Sequence, residues 1–125
     1  AGLGEACPDG FAETERCFQL FLQRLEGDAL VSVARALARV QREIVEQCDG
    51  DAPVPASLNF LASDGRRLVA ARHGRTLWLY RGDQVRVVAS ERLWPEGEWE
   101  EVAEGEVIGV DADLSVHRWS ARELA

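Results

Sequence analysis

Apolar residues recur with two different periods along this chain, and the change of period falls near its middle. Cys17, Phe18, Phe21, Leu22 and Leu25 stand at i, i+1, i+4, i+5 and i+8, the stripe of an amphipathic helix. Glu13 and Glu15 occupy its first turn, where the helix dipole favours negative charge. Gly27-Asp28 breaks the pattern. Val33, Leu37, Val40, Ile44 and Cys48 then predict a second helix over residues 29–48, with Arg35, Arg39, Gln41, Arg42, Glu43 and Glu46 on its remaining, solvated faces. The stretch DGDAPVP at 49–55 ends it.

From Ser57 onward short apolar runs alternate with turn signals. Runs 58–63 and 66–72 flank Asp64-Gly65, a favoured dipeptide for a two-residue hairpin turn. Runs 76–80 and 84–89 flank Gly82-Asp83, and runs 106–111 and 115–119 flank Ala112-Asp113. The expectation is an α+β domain in which two helices are followed by about six mostly antiparallel strands. Residues 1–125 read as one unit: a lead-in loop at 1–11, a helical pair at 12–48 and strands at 57–119. Leu77, Leu79, Val87 and Val88 lie in near-continuous apolar runs, which predicts burial on both faces of their sheet. That calls for a covering layer beyond the two helices.

With 46% hydrophobic residues in 125, the chain has enough apolar surface for a core. Fourteen basic against twenty-two acidic side chains give a net charge of −8, which argues against nucleic acid and anionic membranes as partners. No apolar run approaches the roughly 20 residues of a membrane span. Cys7, Cys17 and Cys48 are odd in number without CxxC spacing, and only His73 and His117 could join them. Reduced thiols in the cytoplasm, with no metal and no cofactor, are expected. The start AGLGEACPDGF has no export signal, and the absence of methionine suggests a processed or truncated piece.

No phosphate loop, GxSxG elbow or HExxH helix is present, and no catalytic residue is assigned. His73, between Arg72 and Gly74, reads as a turn residue, and His117 as an exposed strand position. Glu98, Glu100, Glu101, Glu104 and Glu106 read as a solvated acidic stretch. Trp78, Trp94, Trp99 and Trp119 are expected to pack in core or turns, a ligand-stacking box being the alternative. In VVASERLW at 87–94, Glu91 is expected to satisfy backbone or basic groups where a strand leaves its sheet.

The run LNFLASDG at 58–65, LVAAR at 68–72, and VVASE at 87–91 with Leu93 and Trp99 together resemble the second half of class II glutamine amidotransferases. The likeness is closest to the stand-alone branch that includes the ergothioneine-pathway γ-glutamyl amidohydrolases. GFAETERCF at 10–18 resembles that branch's G-x-T-D-S-E-x-x-F helix start. The resemblance implies the C-terminal part of an αββα N-terminal-nucleophile hydrolase sandwich. It also implies hydrolysis of glutamine or a γ-glutamyl compound by an N-terminal cysteine, whose α-amino group acts as base, through a thioester.

This chain begins with Ala1, so the implied nucleophile belongs to a preceding half of the same domain, the expected partner; without it the chain is expected to be inactive. The family's aspartate for the substrate's α-ammonium group falls on Glu13, one methylene longer, and its threonine on Ala12. Arg92 stands where the family carries proline. The competing expectation is a non-catalytic α+β interaction module that keeps the scaffold, and self-association into a homo-oligomer is left open.

Overall fold

The computed structural model describes the backbone of residues 11–48 and 58–125, with side chains at 15–47 and 58–125. The lead-in loop before Phe11, Cys7 and the break at 49–55 lie outside the described residues. Two helices, α1 (Phe11–Arg24) and α2 (Leu30–Cys48), precede β1 (Phe60–Ser63), β2 (Leu68–Ala71), β3 (Trp78–Gly82), β4 (Val85–Ala89), β5 (Glu98–Glu101), β6 (Glu106–Val110) and β7 (Val116–Ser120). A short α3 (Ala121–Leu124) follows. The expected α+β order holds.

All pairings are antiparallel and build two sheets, β1-β2-β6-β7 and β4-β3-β5. Period-two alternation sends Phe60, Ala62, Val69, Ala71, Val107 and Trp119 of the first sheet against α1 and α2, where they meet Cys17, Phe21, Leu37, Val40 and Ile44. Ala70, Ile108 and Val116 point the other way and pack with Leu77, Leu79, Val88 and Val102. The order of layers is therefore helices, first sheet, second sheet. Among the described residues no helix is long and apolar enough to cross a membrane.

Several expectations are corrected. A seventh strand, β5, arises in the acidic stretch: EWEE has little intrinsic strand signal, and pairing with β3, Trp99 opposite Tyr80, makes it one. The first hairpin closes with Ser63 opposite Leu68, a longer loop than the two-residue turn, because the Asp64 carboxylate accepts the Arg66 and Arg67 amides at 2.9 and 2.8 Å. On α1, Leu20 is buried at 3% while Phe18 and Leu22 remain 56% and 51% exposed. The buried row runs through Cys17, Leu20 and Phe21, one side of the predicted stripe. Val87 and Val88 are only half-buried, since β4 is an edge strand.

Candidate functional site

Glu13, the one binding residue implied by resemblance, lies in the first turn of α1, four residues before Cys17; its side chain is outside the described residues. What the structure places beside α1 is apolar. Phe18, Phe21, Leu25, Leu30, Val33 and the β1–β2 hairpin enclose a groove of about 270 Å³. A smaller hollow of about 140 Å³ continues it past Cys17 and Phe60. These hollows follow directly from the displaced face of α1, which leaves Phe18 and Leu61 as rims of the groove rather than parts of the core.

A larger cleft of about 580 Å³ opens at the other side of α2, lined by Gln41, Glu46, Arg72, His73, Glu104 and Ser120 among others. Several of its polar groups are committed to architecture. Gln41, expected on a solvated face of α2, is instead 5% exposed, because its amide donates to the carbonyls of Leu58 at 2.7 Å and Ala71 at 3.0 Å. Arg72 donates to the Val102 and Arg75 carbonyls and pairs with Glu101. The His73 amide donates to Asn59 Oδ1 at 2.7 Å; the residue sits in a bend, as expected of a turn residue. Glu104 accepts the Gly74 amide. Among the described residues that line the cleft, no hydroxyl is hydrogen-bonded to an imidazole.

His117 is exposed on β7, stacked on Trp119 with ring centres 6.1 Å apart, as expected of a strand surface position. Among the described residues no three metal-ligating side chains come together. The carboxylates with lowered pKa are turn residues. The amides of Arg67 and then Arg66 hold Asp64 at about 2, and the Ser115 hydroxyl followed by its amide lowers Asp113. Hydrogen bonding to Glu43 raises Arg24, tying α1 to α2.

The stretch at 87–94 is packing. Arg92 stacks over the Trp78 ring, 5.0 Å from its centre, which gives the residue that departs from the family pattern a role. Tyr80, Trp94 and Trp99 form an aromatic triangle with centroids 4.9, 5.1 and 5.2 Å apart. Two glycines admit the Tyr80 ring: a Cβ on Gly82 would come within 2.6 Å of Tyr80 Cε2, and one on Gly97 (φ +92°) would strike Cε1. Glu91 does not play the expected part: it is exposed and has no hydrogen-bond or ion-pair partner among the described residues, because the chain leaves β4 into solvent at Ser90.

Compared with solved structures, the chain is similar to a glutamine aminotransferase class-II domain protein from Silicibacter pomeroyi, at 28% sequence identity and a TM-score of 0.62. The match covers 86% of this chain and 51% of that one. The likeness supports the class II glutamine amidotransferase family. The α+β arrangement of two helices followed by antiparallel strands in two sheets matches such a domain. This chain spans about half the length of the solved relative. No family profile and no curated protein matches it.

Proposed function

We propose that this chain is the C-terminal half of a class II glutamine amidotransferase-like domain that hydrolyses a γ-glutamyl amide. The observation that carries this reading is the 28% identical match, which extends over 86% of the chain yet only 51% of the solved relative. A preceding half supplies the N-terminal cysteine. Its α-amine takes the thiol proton, the thiolate attacks the γ-carbonyl, and ammonia or an amine leaves as a thioester forms; water then releases glutamate. Glu13 meets the substrate's α-ammonium group from the start of α1. The described residues build the scaffold, α1–α2 on one sheet and the second sheet behind it. We place the protein with the stand-alone, ergothioneine-type branch in the cytoplasm, on the wording at 58–72 and 87–91.

The test joins this chain to the upstream segment of its gene and measures ammonia release from glutamine and from γ-glutamyl amides. Alkylation-sensitive release from the joined protein and none from this chain alone is the expected result. An upstream segment without a cysteine directly after its initiator methionine would sink the reading. Ala12 and Glu13, in place of the family's threonine and aspartate, favour one alternative, a non-catalytic interaction module. A joined protein that folds, carries the cysteine and releases no ammonia would select it.

A further inference from the structure

The cleft of about 580 Å³ beside α2 falls in the range of small-molecule sites, and its polar groups divide into two sets. One set is used by the fold: Arg72 serves two carbonyls and Glu101, and the Glu104 carboxylate accepts the Gly74 and Gly105 amides. The other set has no side-chain partner among the described residues. It comprises the Gln41 Oε1, the His73 imidazole, the Ser120 hydroxyl and the Arg122 guanidinium.

Two of these groups are held in place by bonds that leave their functional atoms unused. Both Nε2 protons of Gln41 go to the Leu58 and Ala71 carbonyls, which fixes the carboxamide and leaves Oε1 as an acceptor in a residue only 5% exposed. Polar groups so nearly buried are normally satisfied, and this one calls for a donor from whatever fills the cleft. The His73 backbone is bound at both ends, its amide to Asn59 Oδ1 and its carbonyl to the Leu58 amide, each at 2.7 Å. Its ring is positioned yet uncommitted.

Charge selects the other half of the ligand. Among the described residues that line the cleft, three arginines face two glutamates, a positive excess on a chain of net charge −8. Arg42 has Glu46 at 3.6 Å and Arg72 has Glu101. Arg122 has no carboxylate. Between these groups Ala38, Val45 and Ala121 provide apolar wall.

We infer that the cleft binds a small organic anion that also carries an N–H donor. Its anionic group meets Arg122, its N–H donates to Gln41 Oε1, and its apolar body lies along Ala38 and Val45, with His73 and Ser120 as further hydrogen-bonding partners. Carboxylate and phosphate both match a guanidinium, so an N-acyl amino acid and a nucleoside monophosphate are the two sources of this chemistry. The site is additional to the proposed function and does not rest on it.

The experiment titrates the joined protein by calorimetry with N-acetylleucine, which has no γ-glutamyl amide, and with adenosine 5′-monophosphate. Each has a comparator without the N–H donor: 2-acetoxy-4-methylpentanoate and purine riboside 5′-monophosphate. We expect one of the two probes to bind, with Arg122→Ala and the matching comparator each weakening binding by about tenfold or more. The imidazole nitrogen signals of His73 should shift on saturation in NMR spectra. Arg122 is exposed and unpaired, so thermal unfolding of Arg122→Ala should match wild type. A water-filled cleft that takes neither probe at millimolar concentration would overturn the inference. So would binding that leaves His73 unmoved and is unchanged in Arg122→Ala. Binding in a joined protein that releases no ammonia would keep the site and overturn the proposed activity; ammonia release without binding would do the reverse.

Discussion

Gln41 is the polar side chain buried beneath α2, and its replacement gives a prediction that can be worked from geometry. Its carboxamide nitrogen donates both protons, to Leu58 O at 2.7 Å and Ala71 O at 3.0 Å, joining α2 to the start of β1 and the end of β2. Gln41→Leu fills similar volume and removes both donors. A buried acceptor left without its donor costs about 1–3 kcal/mol, and carbonyls with a second lone pair fall at the lower end. Added apolar burial offsets about 1 kcal/mol, leaving a net loss of about 1.5–3 kcal/mol. For a domain of this size that lowers the unfolding midpoint by roughly 5–12 °C.

Gln41→Glu sharpens the test because an ionised carboxylate would point at two carbonyl oxygens, whereas the protonated acid can donate to one. Its folded-state pKa is therefore raised above the ordinary value of about 4.3. Relative to wild type, the variant is least destabilised below that value and loses further stability as pH rises through the raised pKa. Urea and thermal unfolding by circular dichroism at pH 4 and 7 provide the measurement. A Gln41→Leu protein within about 0.5 kcal/mol of wild type, or a Gln41→Glu protein better tolerated at pH 7 than at pH 4, would refute the reasoning.

Gly97→Ala puts a methyl group into the Tyr80 ring at a φ of +92°; a loss of about 1–3 kcal/mol and altered tryptophan fluorescence are expected, and an unchanged emission spectrum would count against the aromatic triangle. Ile108→Ala empties a fully buried site between the sheets and should cost about 2–5 kcal/mol in denaturant titration. Asp64, held at about 2 by the Arg67 and Arg66 amides, contributes stability that is present above its unfolded pKa and lost as pH falls from about 4 towards 2. Asp64→Asn should flatten that part of the acid profile, and NMR titration of the carboxyl carbon reads the pKa directly. In the joined protein Glu13→Gln should raise KM for glutamine by about tenfold or more with a smaller change in kcat, reflecting a lost ionic contact to the bound substrate; an unchanged KM would remove Glu13 from the binding role.

The candidate site was legible mainly as wording. Glu13 and the segments at 58–72 and 87–91 pointed to a family before any geometry, and a solved relative of 28% identity supports that family. The exposed row of α1 had no sequence signal of its own. Phe18 and Leu22 satisfied helical periodicity as well as the buried Leu20 and Phe21 did, and a stripe of apolar residues on a helix cannot say which of two adjacent rows will meet a sheet.

Local pattern determined the two helices, the three hairpins and their α+β order, because periodicity, glycine breaks and turn dipeptides act within a few residues of chain. Tertiary structure decided the rest. EWEE became β5 only through pairing with β3, and Asp64 lengthened its turn by binding two amides. Arg118 finds Glu100 across 18 residues of chain, and Leu61 stays 50% exposed on an edge strand. Such choices rest on contacts between distant segments, and the free energy of burial and ion pairing that settles them is a property of the assembled layers.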